Sequence, residues 1–150
     1  MAMSRPSPDF TLPSTEGEIT LSALRPQVVV LYFYPRDDTP GCTLEAQDFN
    51  RMKPEFDAAG IRVIGISKDS LAAHEKFCGK HGLGITLVSD TGTVAEDFGV
   101  WVEKNMYGKK SMGIERATFL IDGAGEIVRE WRKVKVAGHA EEVLAAARAL

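Results

Sequence analysis

Two continuous apolar runs, both rich in β-branched and aromatic residues, constrain the fold of this chain most strongly. Residues 27–35, QVVVLYFYP, and residues 61–67, IRVIGIS, lack the alternation expected of a strand with one solvent-facing side. Such runs are typical of strands buried on both faces. Between them, apolar residues recur at helical spacing: Ala46, Phe49, Met52 and Phe56. The order strand, helix, strand predicts a parallel crossover.

The rest of the chain continues this alternation of strands and helices. Pro54 should interrupt the first helix near Met52, because proline cannot donate the intrahelical hydrogen bond. Signals for caps, turns and periodicity predict the remaining elements. A helix over residues 70–81 ends at Gly82, and a strand over 85–90 and a short helix over 93–98 follow it. Strands over 116–122 and 126–134 form an antiparallel hairpin, and a last helix begins at His139. Residues 100–115 are interpreted as a loop with some extended structure.

This order of elements predicts an α/β fold with a central mixed sheet flanked by helices. A length of 150 residues is enough for one domain, and we expect residues 1–150 to form it. The formal net charge of −3 gives no general attraction to nucleic acid or to anionic membranes. We therefore expect neither as a partner.

The expected location of the protein is the cytoplasm. The N-terminal stretch MAMSRPSPDF has no apolar segment of a signal peptide, and the longest apolar run, VVVLYF, is far too short to span a bilayer. Two cysteines in 150 residues do not make a disulfide scaffold. In a reducing compartment a cysteine is more often buried and inert, or catalytic, than part of a structural disulfide.

Cys42 lies where an α/β sheet places its active site, just beyond the carboxyl end of the first long strand. Thr39 is a candidate N-cap and Pro40 a candidate first helical residue, so Cys42 should lie in the first turn. Unpaired backbone N–H groups and the positive end of the helix dipole favour a negative sulfur there. The neighbouring carboxylates of Asp37 and Asp38 would oppose it, so a cation is needed, and Arg116 is the preferred candidate.

Each cysteine also has a purely structural interpretation, as a small buried hydrophobic residue. Thr, Pro and Gly around Cys42 predict an exposed turn rather than a core position. Cys78 lies beside Phe77 on a predicted helix, and this position favours a packed core thiol more than the position of Cys42 does. The histidines His74, His81 and His139 show no ligand spacing, and we interpret them as surface or supporting residues rather than metal ligands.

Several segments together resemble a known family. The stretch YPRDDTPGCT is similar to the peroxiredoxin signature, in which proline, threonine and cysteine follow at fixed spacing. The segments PDFTLP, VVVLYFYP, GISKDS, LVSD, FGVW and ERATFLID resemble the peroxiredoxin Q, or bacterioferritin comigratory protein, branch. The resemblance runs from about residue 8 to the last helix. It implies a thioredoxin-like fold and a thiol peroxidase that reduces hydrogen peroxide and organic hydroperoxides without metal, haem or flavin.

The resemblance also implies a role for each matching residue. Cys42 would be the peroxidatic cysteine, which attacks the peroxide. Pro35 would shield it, and Thr39 would hydrogen-bond the thiolate and the peroxide. Arg116 would stabilise both. Glu45, in GCTLE, stands where this branch usually has a glutamate that orients the arginine.

The chain departs from many members of the branch at Gln47, where they carry a second cysteine. Cys78 instead stands where another subset places its resolving cysteine. The resemblance therefore implies an intramolecular Cys42–Cys78 disulfide, formed after local unwinding and recycled by a thioredoxin-type reductant in a monomeric enzyme. A one-cysteine peroxidase resolved by an external thiol remains an alternative.

Two other functional classes compete with the peroxidase. A thiol–disulfide oxidoreductase on the same fold would place a CxxC motif after the first strand, where this chain has Thr39 in place of the first cysteine. A non-catalytic binding domain would carry its cysteines incidentally. Insulin reduction without peroxide turnover would indicate the former, and unchanged peroxide turnover in Cys42→Ser the latter.

Overall fold

The computed structural model describes residues 4–150 of the chain. Residues 1–3, the start of the N-terminal stretch without a signal-peptide pattern, lie outside the described residues. One sheet holds eight strands: β1 (Arg5–Pro6), β2 (Thr11–Ser14), β3 (Gly17–Thr20), β4 (Val28–Phe33), β5 (Ile61–Ser67), β6 (Thr86–Ser89), β9 (Ala117–Ile121) and β10 (Glu126–Arg132). Their order in the sheet is β1-β10-β9-β4-β5-β6-β2-β3. A second sheet is the hairpin of β7 (Trp101–Met106) and β8 (Lys109–Ile114).

The three central strands of the large sheet are parallel, and the strands toward its two edges pair antiparallel. Strands β4, β5 and β6 run parallel, whereas β9 pairs antiparallel with β4 and with β10. At the other edge, the β2–β3 hairpin is joined to β6 by an antiparallel pair between Ser14 and Val88. The predicted mixed sheet is confirmed, and so is the C-terminal hairpin.

The helices are α1 (Pro40–Arg51), α2 (Lys53–Ala58), α3 (Leu71–His81), α4 (Val94–Asp97) and α5 (His139–Arg148), with a 3-10 turn over Leu21–Leu24. The break between α1 and α2 falls at Met52, as Pro54 predicts. The hydroxyl of Ser70 accepts a hydrogen bond from the Ala73 N–H and caps α3. Gly82 ends α3 with a φ of 62°, a left-handed conformation that glycine adopts without a steric penalty.

Both faces of the central strands are buried, which explains their continuous apolar sequence. Along β4, Leu31 and Phe33 pack in one core cluster with Phe119 and Val94. The alternate residue Tyr32 and the following Tyr34 pack in a second cluster, on the opposite face. This second cluster, which we call the α1 core, also contains Phe49 and Phe56 of α1 and α2, Phe77 of α3 and Val143 of α5.

Two regions differ from the sequence prediction. Residues 100–115, interpreted as a loop with some extended structure, form the paired strands β7 and β8 around a turn at residues 107–108. Strands β1, β2 and β3 were not predicted, because they are only two to four residues long and carry few of the large apolar side chains that mark a buried strand. None of the helices among residues 4–150 is long and apolar enough to span a membrane.

Candidate active site

The candidate site lies where β4 ends and α1 begins. Thr39 occupies the N-cap position with an extended backbone (φ −89°, ψ 153°), and Pro40 is the first helical residue. Gly41 and Cys42 follow in the first turn, as the sequence predicts. The Thr43 N–H donates to the Thr39 carbonyl at 2.8 Å and closes this turn. The thiol is therefore attached to the positive end of a twelve-residue helix.

Arg116 joins two residues of α1. Its Nη2 donates to the Cys42 Sγ at 3.2 Å, and its Nη1 donates to the Glu45 Oε1 at 2.7 Å. The position follows from the topology, because β9 runs antiparallel to β4 and Phe33 pairs with Ala117. The start of β9 therefore meets the end of β4, which brings the arginine to the thiol.

Gly41 leaves space for this guanidinium. A Cβ at this position would lie 3.2 Å from the Arg116 Nη2, closer than most real Cβ contacts. The glycine of the TPGC motif thus has a specific steric role: it allows the cation to lie against the first turn of α1. Any larger residue at position 41 has to move the donor that contacts the sulfur.

Cys42 itself is buried, with 2% of its surface exposed. The prediction that it lies on an exposed turn was wrong. The first helical residue, Pro40, is exposed, but two residues later the helix has turned inward and Cys42 joins the α1 core with Tyr32 and Tyr34. Burial alone would suit an inert thiol. The guanidinium at hydrogen-bond distance distinguishes Cys42 from such a residue.

In the Glu45–Arg116 ion pair, the Glu45 carboxylate is almost fully shielded from solvent. The Glu45 side chain is 1% exposed, and burial raises its pKa to about 7, although the Arg116 charge and hydrogen bond act in the opposite direction. Burial lowers the pKa of Arg116, but Glu45 and the thiol beside it outweigh that effect and the pKa lies above its ordinary value. The arginine is therefore a permanent cation held in a fixed direction.

Thr39 and Pro35 lie close to Cys42 in sequence, without a hydrogen bond to its sulfur. The Thr39 hydroxyl donates to the Arg36 carbonyl at 2.9 Å. Pro35 is half-buried directly after Tyr34. The roles that the resemblance implies for these two residues stay predictions.

The two acidic residues that could repel a negative sulfur have other partners. Asp37 accepts a hydrogen bond from the Tyr34 hydroxyl at 2.5 Å, and its other oxygen is hydrogen-bonded to the His74 ring at 2.6 Å. Asp38 lies 2.7 Å from the Lys80 ammonium and 3.0 Å from the His81 ring, and these contacts lower its pKa. Both carboxylates are thus tied to side chains of α3.

Cys78 is in a different environment on α3. Its thiol is half-buried and packs at the margin of the α1 core. Burial raises its pKa to about 11, and the nearby carboxylates of Asp37 and Glu75 add to the effect. The two cysteines are both free, so this is the reduced state of the protein.

Sequence reasoning missed three features near the site. His74 and His139 are buried, at 0% and 4% exposure, so of the two interpretations offered for them only a supporting role remains. His74 lies three residues before Phe77 on α3, and this helical spacing could have indicated an inward position. Lys104 packs over Gly113 on the β7–β8 hairpin, and burial, together with the Arg116 charge, lowers its pKa. Nothing in the sequence alone places Lys104 near Arg116.

The only group of possible metal ligands found among the described residues is Asp37, Asp69 and His74, whose ligand atoms lie within 4.8 Å of one another. The His74 Nδ1 is already hydrogen-bonded to Asp37, and Asp69 accepts from the Ser67 hydroxyl and the Asp37 N–H. These side chains satisfy one another. The cluster therefore gives no positive indication of a metal.

Comparisons with known proteins agree with this geometry. The AhpC/TSA family matches residues 3–130. Peroxiredoxin Bcp of Xanthomonas campestris is 50% identical over 148 residues, covering 96% of this chain and 92% of the relative. Peroxiredoxin Bcp of Bacillus subtilis is 48% identical over 140 residues, covering 92% of this chain and 89% of the relative.

Solved structures give the same result. A structure of X. campestris peroxiredoxin Q superimposes with a TM-score of 0.88 and 51% identity, covering 93% of this chain and 90% of the other. The predicted thioredoxin-like fold is confirmed by this similarity. Another structure of the X. campestris protein, called bacterioferritin comigratory protein, is described by its alkyl peroxide reduction activity.

The fold and the site define an oxidoreductase that works through a thiol, a thiol-dependent peroxidase. The chain belongs to the AhpC/TSA family, in its peroxiredoxin Q (Bcp) branch. The resemblance found in the sequence is thereby confirmed.

Proposed function

We propose that Cys42 is the peroxidatic cysteine of this peroxidase and that hydrogen peroxide and organic hydroperoxides are its substrates. The observation that carries the proposal is the 3.2 Å contact between the Arg116 Nη2 and the Cys42 Sγ at the N-terminus of α1. A cation and a helix N-terminus both favour negative charge on the sulfur. Among residues 4–150, Cys78 has no such partner.

The proposed first step transfers one oxygen atom to the sulfur. The Cys42 thiolate attacks the terminal oxygen of ROOH, an S–O bond forms and the O–O bond breaks. The sulfur is oxidised to sulfenic acid, and the leaving alkoxide takes a proton and departs as ROH, or as water from hydrogen peroxide. Negative charge spreads over sulfur and both oxygens in the transition state, and the fixed guanidinium donors stabilise it.

Glu45, Thr39 and Pro35 support this step in the proposal. Glu45 holds one Nη of Arg116 at 2.7 Å, which fixes the direction of the other Nη toward the sulfur. Thr39 occupies the N-cap, and its hydroxyl would rotate from the Arg36 carbonyl toward a bound peroxide. Pro35 keeps solvent from the thiol.

Cys78 resolves the sulfenic acid in the proposed second step. Its sulfur attacks the Cys42 sulfur, the S–OH bond breaks, water leaves and a disulfide forms. The spacing supports this assignment: Cys42 and Cys78 are 36 residues apart, the same separation as the two cysteines replaced singly by serine in structures of the X. campestris protein. Closing a loop of this size is worth roughly 4 kcal/mol in the chain-entropy model of the unfolded state.

We propose that local unwinding accompanies disulfide formation. Both helices are intact here, Cys42 is buried, and the thiols lie on different helices. A disulfide needs Cα atoms within about 7 Å and correctly directed Cβ atoms. The proposal therefore includes opening of α1, α3 or both after the sulfenic acid forms.

The remaining parts of the proposal concern the surroundings of the enzyme. We propose a thioredoxin-type dithiol as the reductant, which would exchange with the Cys42–Cys78 disulfide. We also propose that residues 1–150 act as one domain, in a monomer located in the cytoplasm. The two core clusters support the single domain, because they cover opposite faces of one sheet.

A one-cysteine mechanism is the second candidate. The raised pKa of Cys78, about 11, favours it, because a thiol that stays protonated is a poor nucleophile. In that case an external thiol would reduce the Cys42 sulfenic acid directly.

Single-turnover oxidation tests the proposal and separates the two candidates. One equivalent of peroxide should remove two free thiols per chain from the wild type and leave a monomer on a non-reducing gel. Cys78→Ser should still be oxidised at Cys42 but stop at sulfenic acid, and Cys42→Ser should lose peroxide consumption. Loss of one thiol from the wild type would indicate the one-cysteine mechanism. Unchanged consumption in Cys42→Ser would overturn the assignment of the peroxidatic cysteine.

A further inference from the structure

A polar cluster around a fully buried histidine joins the loop before α1 to the helix that carries Cys78. We call it the His74 cluster, and it contains Tyr34, Asp37, Asp69 and His74. One oxygen of the Asp37 carboxylate accepts from the Tyr34 hydroxyl at 2.5 Å, and the other lies 2.6 Å from His74 Nδ1. The Asp37 N–H donates to Asp69 Oδ2 at 2.9 Å. The cluster therefore fixes both the backbone and the side chain of position 37.

His74 connects three elements through one ring. Its Nδ1 contacts Asp37 in the loop that leads into α1, and its Nε2 donates to the Val88 carbonyl of β6 at 2.9 Å. The ring itself belongs to α3. The His74 side chain is 0% exposed and the Asp37 side chain 6% exposed. Both ring nitrogens are used, so α3 cannot move away from the loop and β6 without leaving buried polar groups unpaired.

The same loop and helix are also joined at the surface, which provides an internal comparison. Lys80 of α3 contacts Asp38 at 2.7 Å, with side chains 57% and 45% exposed, and His81 contacts the other oxygen of Asp38. Exposed pairs contribute little to stability because water competes for both charges. A buried hydrogen-bonded pair is far more costly to break, because each group left behind lacks a partner.

His74 and Cys78 lie one helical turn apart on α3, at positions i and i+4. Opening the turn that holds Cys78 therefore affects the backbone that carries His74. In the proposed mechanism Cys78 has to leave its half-buried position to reach Cys42. The contacts of His74 with Asp37 and Val88 should oppose that movement more strongly than the exposed contacts of Lys80 and His81.

We propose that His74 is a positioning residue of the resolving step: it holds α3, and Cys78 with it, closed against the active-site loop, and its release limits the rate at which the Cys42–Cys78 disulfide forms. This inference rests on the proposed function. The chemistry of the step is unchanged, with attack of the Cys78 sulfur on the sulfenic acid, formation of the S–S bond and loss of water. Holding α3 closed keeps the peroxidase site assembled until the peroxide has reacted.

The test compares three variants in single-turnover kinetics. His74→Gln removes the ring that bridges the loop and β6. Lys80→Gln removes the exposed contact between the same two elements. Val143→Ala destabilises the fully buried face of α5 and leaves the sequence of α3 and the loop intact, so it controls for a general loss of stability. Stopped-flow fluorescence after one equivalent of peroxide, with thiol trapping over time, separates oxidation of Cys42 from formation of the disulfide.

We expect His74→Gln to form the disulfide about tenfold faster than the wild type, while the oxidation step stays within about twofold. At high peroxide it should also accumulate less sulfinic acid, because a faster second step shortens the life of the sulfenic acid. Hydrogen exchange should rise in α3 and in residues 36–39. Lys80→Gln and Val143→Ala should form the disulfide at the wild-type rate.

An unchanged or slower second step in His74→Gln would overturn the inference, as would an equal acceleration in Val143→Ala. If His74→Gln fails to fold, Asp37→Asn weakens the same contact from the loop side and is judged by the same criteria. Thiol counting in the wild type distinguishes failure of the proposed role of Cys78 from failure of the proposed role of His74. If the wild type loses one thiol and forms no disulfide, the proposed role of Cys78 fails; if the disulfide forms and His74→Gln behaves like the wild type, the inference alone fails.

Discussion

The two cysteines of this chain show how strongly the environment determines the chemistry of one side chain. Cys42 is the more buried of the two, yet a guanidinium donates to its sulfur at 3.2 Å at the start of α1. Cys78 is more exposed, but partial burial, together with the nearby carboxylates of Asp37 and Glu75, raises its pKa to about 11. Burial alone therefore does not distinguish the two thiols. The guanidinium at hydrogen-bond distance sets Cys42 apart, whereas Cys78 combines partial burial with two nearby carboxylates.

This difference suits the order of the two proposed steps. The thiol with the cation beside it is ready to react in the closed structure. The other is held protonated by its surroundings until α3 opens, when its pKa can return toward the ordinary value. The cation beside Cys42 and the burial and carboxylates around Cys78 thus separate the first proposed step from the second.

Replacing the cation should remove most of the contrast between the two thiols. In Arg116→Lys one ammonium cannot contact both Glu45 and Cys42 as the planar guanidinium does, so we expect oxidation by peroxide to slow about a hundredfold. Stopped-flow oxidation of Cys42 measures the effect. Arg132→Lys is the matched control, because the Arg132 guanidinium donates to Glu115 at 3.0 Å and to the Gly99 carbonyl rather than to the sulfur. An oxidation rate of Arg116→Lys within about threefold of the wild type would contradict the assigned role.

The low reactivity of Cys78 can be tested with the other thiol absent. In Cys42→Ser, iodoacetamide should alkylate Cys78 about a hundredfold more slowly in the native protein than in the urea-unfolded chain at about pH 8, because the raised pKa leaves little thiolate. Mass spectrometry of samples quenched over time gives both rates. Alkylation rates of native and unfolded Cys78 that agree within about fivefold would show that the folded protein does not suppress the reactivity of this thiol.

Gly41 and Gly79 allow the surroundings of the two cysteines to be compared, because Gly41 precedes Cys42 on α1 and Gly79 follows Cys78 on α3. In Gly41→Ala the new Cβ meets the Arg116 Nη2 at 3.2 Å, so oxidation of Cys42 should slow about fivefold. Gly79→Ala meets nothing within 4 Å and should raise stability by about 1 kcal/mol with the oxidation rate unchanged. Thermal unfolding and stopped-flow kinetics measure the two effects. Equal oxidation rates in both variants would show that Gly41 has no steric role.

The smallest expected effect is on the pH profile. The pKa of Glu45 is raised to about 7, so below that pH the carboxyl becomes neutral, its pairing with Arg116 weakens and oxidation of Cys42 should slow about threefold. Glu45→Gln should lack this component of the profile. A profile of Glu45→Gln with the same inflection near pH 7 would assign it to another group.

The same shift fixes the sign of a stability effect. The folded protein binds the Glu45 proton more tightly than the unfolded chain, in which the pKa is about 4.5. The contribution of this group to stability is therefore fully present below pH 4.5 and is lost as the pH rises through about 7. The difference in thermal midpoint between wild type and Glu45→Gln should follow that course.

The regular elements were predictable because their residues obey simple periodicities. The strand at residues 61–67 and the helix break at Met52 follow directly from apolar runs and from Pro54. The β7–β8 hairpin was missed because its residues are mostly polar and β8 is mostly exposed, so no buried face marks it. Local sequence carries little information about strands that pair chiefly with each other.

The site was predictable as far as the helix N-terminus and the residues of the motif. The positions of Thr39, Pro40 and Cys42 in the first turn follow from capping rules, and the choice of Arg116 followed from its place at the start of a strand. The burial of Cys42 and the partners of Asp37 were not predictable, because both depend on how α3 and the sheet pack against the loop. The pairing of Asp37 with His74 spans 37 residues and is set by tertiary structure, not by local pattern.

The interruption at Met52 has a consequence for how far a structural change can spread. Pro54 cannot donate to the Asn50 carbonyl, so the two helices do not form one continuous hydrogen-bonded rod. In the proposed mechanism, unwinding of residues 40–51 therefore need not extend to residues 53–58. Met52 marks the point where a change that begins at Cys42 would end, so that one part of this long segment could rearrange while the other stays helical.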